Sequence, residues 1–389
     1  MVTLARSRSI TWSTGLAMFS MFFGAGNIVF PLALGQYTQD KNCYGIVGLI
    51  LTAVCVPLLG LLAMMLFDGN YSSFFRRIGK IPGFLLTLLI LGLIGPFGGI
   101  PRCITISYST IDAFQFQALS WMNLPLFSGI SCILIFLFTF RPGKVLDLLG
   151  LVLTPVLLLS LALIVIKGLW IMPSAHHSGH TAWQTFSQGA LSGYNTMDLL
   201  AAFFFSSVVL LCLQKNGFSD KKGMLSAAVT GSLIAAVLLS LVYVAFSFLA
   251  AGYSTSLNGI APDQLLGTLA FQLLGPQAGL IASVAVCFAC FTTEIALTAV
   301  FAEFLHRTLL KEKISYRAAL GITLLLSFLV STLHFGGISA FLVPVLQMCY
   351  PALIVLTVLN ILYKLYGYKP VKPIFYGTVA LTLLVQLIP

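Results

Sequence analysis

Apolar runs of membrane-crossing length recur from Ile10 to Ile388, and they constrain this chain more than any other feature. A helix needs about 20 apolar residues to cross a hydrocarbon core about 30 Å thick. Backbone N–H and C=O groups find no partners in lipid, so only helices and closed barrels span it. Barrel strands are short and alternate in hydropathy, whereas these runs are continuous. The sequence therefore predicts an all-α polytopic membrane protein. Composition agrees: 59% of residues are hydrophobic, 8% are charged and the mean hydropathy is +1.03. A soluble domain carries far more polar surface than that.

Eleven spans are expected, over Ile10–Leu34, Tyr44–Phe67, Pro82–Ser107, Leu126–Phe140, Leu146–Ile171, Phe186–Leu213, Met224–Ala251, Pro276–Leu305, Arg317–Leu333, Gly336–Leu362 and Pro373–Ile388. The connections are brief, so residues 1–389 read as one transmembrane domain. Lys and Arg collect on the cytoplasmic side of membrane proteins. With a cytoplasmic N-terminus, 17 of the 20 Lys and Arg residues fall on one side, from Arg6 and Arg8 through Arg141 and Lys144 to Lys372. Lys41 and Lys167 fall on the other, and Arg102 is expected near the outer end of the third span. The net charge of +10 thus follows from topology and is no sign of a nucleic-acid partner. Arg6 and Arg8 precede an apolar run too long for a signal peptide and without its small-residue cleavage site, so a retained first helix is expected. Cys287 and Cys290 form a C-x-x-C on a long apolar helix, where inert buried thiols are the better reading. The stretch "HHSGH", with His176, His177 and His180, reads as a solvated loop.

Two spans are interrupted at their centres. "SMFFGAGNIVFP", Ser20 to Pro31, places Gly24, Gly26 and Asn27 in the middle of the first. "GALSGYNTMD" opens the sixth, with Gly189, Gly193, Asn195, Thr196 and Asp198. Glycine weakens a helix interior and asparagine is costly in hydrocarbon. Small residues also let helices approach closely, which is the plain reading of either motif alone. Together they say more. The first and sixth spans are an odd number of helices apart and so enter from opposite sides. That is the arithmetic of an inverted repeat, with spans one to five (residues 10–171) and six to ten (186–362) as its halves and one further helix (373–388). Paired interrupted helices at matching positions mark the midplane site of a secondary transporter, where half-helix N–H groups favour anions and freed carbonyls ligate cations.

The third and eighth spans correspond in this scheme. The third holds "GPFGGIPRCITIS" and the eighth holds the adjacent hydroxyls Thr292 and Thr293. Threonine in a membrane helix often bonds back to the i−4 carbonyl, but beside two broken helices the pair reads as cation ligands. Charges deep in a bilayer cost about 2.5–3.5 kcal/mol or more. Asp198 and Glu294 sit well inside spans and are candidates for coupling or gating. Asp198 is also placed to cap the second half-helix. Glu303 lies four residues before Arg307, so a local pair suffices for it.

"MFFGAGNIVFP", "IPRCITISY", "GYNTMDLLAAFFF" and "TTEIALTAVFAEF" resemble, in order, characteristic stretches of the branched-chain amino acid:cation symporter family, within the amino acid–polyamine–organocation superfamily. The resemblance runs from Met18 through Glu303. It implies a leucine-transporter-type fold, a 5+5 inverted repeat with helices 1 and 6 broken. It also implies uptake of leucine, isoleucine and valine, coupled to Na⁺ in most described members. Cation ligands would be the carbonyls of Ser20 and Phe23 and the hydroxyls of Thr292 and Thr293. Asn27 would lie near the substrate carboxylate or a second cation. Gly24, Ala25, Gly26 and Asn27, with Tyr194, Asn195 and Thr196, become the candidate substrate-binding residues. Two features depart from the pattern. Family members carry about twelve spans, and Glu294 stands where a small residue usually follows the paired threonines. A carboxylate there opens the alternative of proton coupling, with another amino acid or small solute as cargo.

No cofactor is expected, and the partners are a small aliphatic amino acid, a coupling cation and lipid, in a bacterial cytoplasmic (inner) membrane. A channel would need a filter or ring of charges, usually built by oligomer symmetry, and two unlike broken helices in one chain argue against it. No H-E-x-x-H, G-x-S-x-G or paired catalytic carboxylates suggest an enzyme.

Overall fold

The computed structural model describes residues 4–114, 121–140, 145–173, 177–215, 218 and 221–387, which are built of helices and short links. The first span is two helices, α1 (Leu4–Phe22) and α2 (Gly26–Thr38). The second is α3 (Asn42–Ile50) and α4 (Val56–Leu66), joined through one wider π turn, and a short α5 (Tyr71–Phe75) follows. The third is α6 (Lys80–Ile94) and α7 (Gly99–Asp112). Then come α8 (Leu124–Phe140) and α9 (Val145–Trp170). The sixth span is again two helices, α10 (Ala182–Asn195) and α11 (Asp198–Lys215), followed by α12 (Lys221–Gly252) and α13 (Leu265–Glu303). The chain closes with α14 (Tyr316–Ser331), α15 (His334–Tyr366) and α16 (Lys372–Leu387). Continuous helical stretches long and apolar enough to cross a bilayer include Gly223–Gly252 and His334–Tyr366.

The spans pack in a symmetric set of pairs. The first span packs on the seventh, through α1 and α2 against α12, and the sixth packs on the second, through α10 against α3 and α11 against α4. The third span packs on the eighth (α7 on α13), the eighth on the fifth (α13 on α9), the third on the tenth (α7 on α15), and the fourth on the ninth (α8 on α14). Swapping one to five for six to ten maps this set onto itself.

Close approach explains the glycines of the sixth span. A β-carbon on Gly189 would lie 1.9 Å from the Gly45 carbonyl oxygen, so α10 sits directly on the α3 backbone. Gly189 and Gly193 are therefore packing residues. The break lies after them, at Thr196 and Met197, where Met197 takes a left-handed φ of 62°.

Three features differ from the expected spans. The third span is broken at residues 95–98, where Gly95 and Gly98 leave helical geometry. The eighth begins earlier than expected, at Leu265, and bends at Gly275, whose φ is 77°. The 177–180 loop is docked and not simply solvated: Tyr37 stacks on His180 at 4.0 Å, Lys41 donates to the His180 carbonyl, and His177 Nδ1 lies 2.7 Å from Asp40. Ser178 donates to Asp40 from its backbone N–H and its hydroxyl, and these bonds hold the Asp40 carboxyl at about 2, below its ordinary 3.8. Arg141, Lys144 and His176 lie outside the described residues.

Candidate functional site

The two central breaks touch. A β-carbon on Gly26 would lie 3.1 Å from Thr196 Cα and 3.2 Å from its carbonyl oxygen. On the other side of the first break, a β-carbon on Gly24 would lie 3.4 Å from Thr293 Cγ2 and 3.7 Å from Thr293 Oγ1. Gly24 thus faces the eighth span and Gly26 faces the sixth.

The first break redirects specific hydrogen bonds. In a continuous helix the Gly24 N–H would donate to the Ser20 carbonyl; here it donates to Asn27 Oδ1 at 3.0 Å. The Asn27 N–H would donate to the Phe23 carbonyl and instead reaches Gly24 at 3.1 Å. Asn27, 2% exposed, turns its other end to the sixth and seventh spans. Its Nδ2 donates to Asp198 Oδ2 at 2.8 Å and to the Tyr243 hydroxyl, and that hydroxyl donates to Asp198 Oδ2 at 2.9 Å. Asp198 is the first residue of α11. The expected capping role gives way to this one: its carboxylate is held by side chains of the first and seventh spans. Thr196, at the sixth-span break, donates its hydroxyl to the Gly193 carbonyl at 2.8 Å.

Thr292 and Thr293 both donate back to the Ala289 carbonyl, at 2.9 and 3.1 Å. Back-bonding is the plain reading of the pair and is what this conformation shows. It uses each hydroxyl's proton and leaves oxygen lone pairs for a cation. Glu294, one residue on, is 2% exposed, with Cys103 of the third span, Cys132 of the fourth and Cys287 within electrostatic reach. No basic side chain lies within 4.0 Å of it among the described residues. Cys103 in turn lies beside Cys290 and the Ala25 backbone. Tyr194 stacks on Tyr350 of α15, centroids 4.7 Å apart. Glu303 pairs with Arg307 at 2.7 Å as its spacing requires.

A small cavity opens beside Asp198, with about 20 Å³ accessible to the centre of a water molecule. Phe22, Ala53, Pro57, Leu61, Ser232 and Ala236 help to line it. That volume suits about one water.

Sequence reasoning placed Arg102 near the interface; the structure buries it at 1% exposure. The break at residues 95–98 turns α7 so that Arg102 reaches the sixth span, where Nη1 donates to the Asn195 carbonyl at 3.0 Å. Tyr243 and Tyr350 were also missed. The only signal for them was a lone polar ring within an apolar run.

A profile for the family described as "Branched-chain amino acid transport protein" matches residues 7–389. The chain belongs to that family. A putative branched-chain amino acid carrier protein of Staphylococcus aureus (strain USA300) is 29% identical over 372 residues, covering 91% of this chain and 82% of that protein. Branched-chain amino acid permease BraB of Bacillus subtilis (strain 168) is 30% identical over 360 residues, covering 90% and 80%. Among solved structures, the inward-facing conformation of Mhp1 matches with a TM-score of 0.68 at 14% identity, over 97% of this chain and 89% of that one. A Na⁺-coupled sialic acid symporter, substrate-bound and outward-open, matches at 0.55 and 13% identity, over 96% and 88%. That structural likeness shows the fold: a leucine-transporter-type inverted repeat broken in helices 1 and 6. Family and fold together make the chain an integral membrane transporter of branched-chain amino acids and not an enzyme.

Proposed function

We propose that this transporter is a Na⁺-coupled symporter that imports leucine, isoleucine and valine by alternating access. It sits in a bacterial cytoplasmic membrane with its N-terminus inside, as the Lys and Arg asymmetry supports. Residues 10–171 and 186–362 act as the two inverted halves, and 373–388 as an added helix. The observation that carries the reading is the contact of the first break with both partners, Gly24 against Thr293 and Gly26 against Thr196. Backbone freed from helical bonding belongs where it meets a ligand. The cation takes the Ser20 and Phe23 carbonyls and the Thr292 and Thr293 hydroxyls, a hard oxygen set. The substrate takes Gly24 to Asn27 on one side and Tyr194 to Thr196 on the other. The names of two neighbours support coupled transport: Mhp1 is described as a nucleobase-cation-symport-1 family transporter, and the sialic acid symporter as Na⁺-coupled.

Uptake of labelled leucine into proteoliposomes, with Na⁺ and pH gradients imposed separately, tests the reading. A Na⁺ gradient alone should drive accumulation. Accumulation driven by the pH gradient alone would favour proton coupling. Glu294, buried with no basic partner among the described residues, is the observation on that side. In that case Glu294→Gln should flatten the dependence of initial rate on pH at fixed Na⁺, and an unchanged profile excludes Glu294 as the titrating group.

A further inference from the structure

Arg102 is the largest fully buried side chain described. Its Nη1 donates to the Asn195 carbonyl at 3.0 Å and its Nη2 to the Ser339 hydroxyl of α15 at 3.3 Å. The Phe30 and Phe335 rings flank it, with centroids 5.2 and 5.6 Å from the guanidinium carbon. Its Nε has no hydrogen-bond partner, and no carboxylate lies within 4.0 Å of it among the described residues. A guanidinium carries five N–H donors in a planar fork that fits a carboxylate through two parallel bonds. Out of water it needs an anion. One carbonyl and one hydroxyl do not supply the charge.

Other polar groups nearby are also incompletely satisfied. Asn195 Oδ1 is also buried without a hydrogen-bond partner, and the Tyr350 hydroxyl, which faces the Leu199 backbone N–H, has no acceptor for its own proton. Tyr350 stacks on Tyr194, the residue before Asn195, and lies within electrostatic reach of both Arg102 and Asp198. Asp198, three residues beyond Asn195, is committed to Asn27 and Tyr243 and does not pair with Arg102. Incompletely satisfied polar groups from three spans thus gather round the sixth-span break. Native interiors rarely leave such groups unpaired without a reason.

The geometry points to Arg102 as the receptor for the α-carboxylate of the transported amino acid, with the Tyr350 hydroxyl as a second donor. This rests on the amino acid cargo proposed above. It moves the carboxylate from the first-span backbone near Asn27 to a side chain of the third span. An aliphatic amino acid brings the one charge this cluster of side chains lacks. The structural alternative is that Arg102 only caps the last carbonyls of α10, as a basic group at a helix C-terminus does.

Competition binding with two ligands separates these. Leucine and leucinamide share side chain and ammonium, and the amide lacks the carboxylate. The parent protein should bind leucine at least about 30-fold more tightly than leucinamide, the scale of a buried hydrogen-bonded charge pair. In Arg102→Gln that ratio should collapse to near one, through loss of leucine affinity with leucinamide affinity unchanged. Arg102→Lys keeps the charge and loses the fork, so its ratio should fall between. Equal weakening of both ligands in Arg102→Gln would assign Arg102 to helix capping and overturn the proposal. A parent that binds leucine and leucinamide equally overturns it without any variant. A parent that binds no branched-chain amino acid overturns the underlying cargo reading instead.

Discussion

Adding one methyl group at each of two neighbouring glycines should give opposite results. The Gly24→Ala β-carbon meets Thr293 Cγ2 at 3.4 Å, an ordinary contact with a side-chain methyl. The Gly26→Ala β-carbon meets Thr196 Cα at 3.1 Å and Thr196 O at 3.2 Å, both backbone atoms. Neither glycine has a left-handed φ, so backbone strain does not enter. To relieve the Gly26→Ala contact the two broken spans must separate by a few tenths of an ångström. Thr196 is held by its hydroxyl bond to Gly193, and Asp198 beyond it by Asn27 and Tyr243. Overpacking of this kind costs about 1–3 kcal/mol. Applied to one conformation of the cycle, that is roughly a 5- to 150-fold change in its population.

Initial rates of leucine uptake in proteoliposomes, normalised to inserted protein, check this alongside thermal unfolding in detergent. Gly24→Ala should unfold near the parent temperature and keep most of its uptake. Gly26→Ala should lose at least about five-fold in rate. Gly24→Leu and Gly26→Leu should both abolish uptake while still inserting, because a full side chain fills the space at the exposed backbone. Equal rates for Gly26→Ala and parent, or equal losses for the two alanine variants, would refute the contact between the breaks.

Thr292→Ala and Thr293→Ala each remove one oxygen from the proposed cation set, so each should raise the half-saturating Na⁺ concentration more than it lowers the rate at saturating Na⁺. An unchanged Na⁺ dependence in both rules that set out. Asp198→Asn can keep an amide oxygen where Oδ2 accepts from both Asn27 and Tyr243, but it loses the charge that strengthens both bonds, and should lower stability by about 1–3 kcal/mol and slow uptake. Normal uptake by this variant excludes an essential charge at Asp198. The Asp40 carboxyl is held at about 2 in the folded state against an ordinary 3.8, so its hold on Ser178 is complete above 3.8 and fades as pH falls through about 2. Slowed exchange of the Ser178 amide should therefore persist at pH 5 and be lost in Asp40→Ala at the same pH; equal exchange in both would show that Asp40 does not hold the loop.

The membrane class and the two central breaks were legible because lipid forbids unpaired backbone and makes every glycine–asparagine interruption conspicuous. The approach of the first break to the eighth span could be anticipated from the family resemblance, which set the Ser20 and Phe23 carbonyls beside Thr292 and Thr293; the contact of Gly24 itself with Thr293 could not. Distances round the helix were not readable. Gly189 and Gly193 looked like parts of the break and proved to be contacts with the second span, because a glycine that packs and a glycine that bends leave the same letter. Asp198 looked like a cap because a cap is local, and sequence spacing shows only local partners. Its actual partners, Asn27 and Tyr243, are 171 and 45 residues away. Arg102 was misplaced for a related reason. An arginine near the expected end of a run is normally assumed to snorkel, and only the break at residues 95–98 turns it inward.

Asn27 is the residue at which these separate contacts become one structure. Its planar amide has two ends, with Oδ1 given to the first break and Nδ2 to Asp198 and Tyr243. A displacement of the Gly24 N–H must therefore either break the bond to Oδ1 or turn the amide, and turning it swings Nδ2 away from Asp198. Gly24 faces Thr293, and Asp198 begins the half-helix that follows Asn195, where Arg102 is anchored. The side of the break that meets the eighth span is thus joined to the side that meets the third by one side chain. Serine is too short to reach both ends. Aspartate has the acceptor for Gly24 but no donor for Asp198, and would set two carboxylates face to face in a buried site. Of the short polar side chains, asparagine alone supplies an acceptor and a donor at this separation, which is the physical reason an otherwise costly amide belongs at the centre of an apolar span.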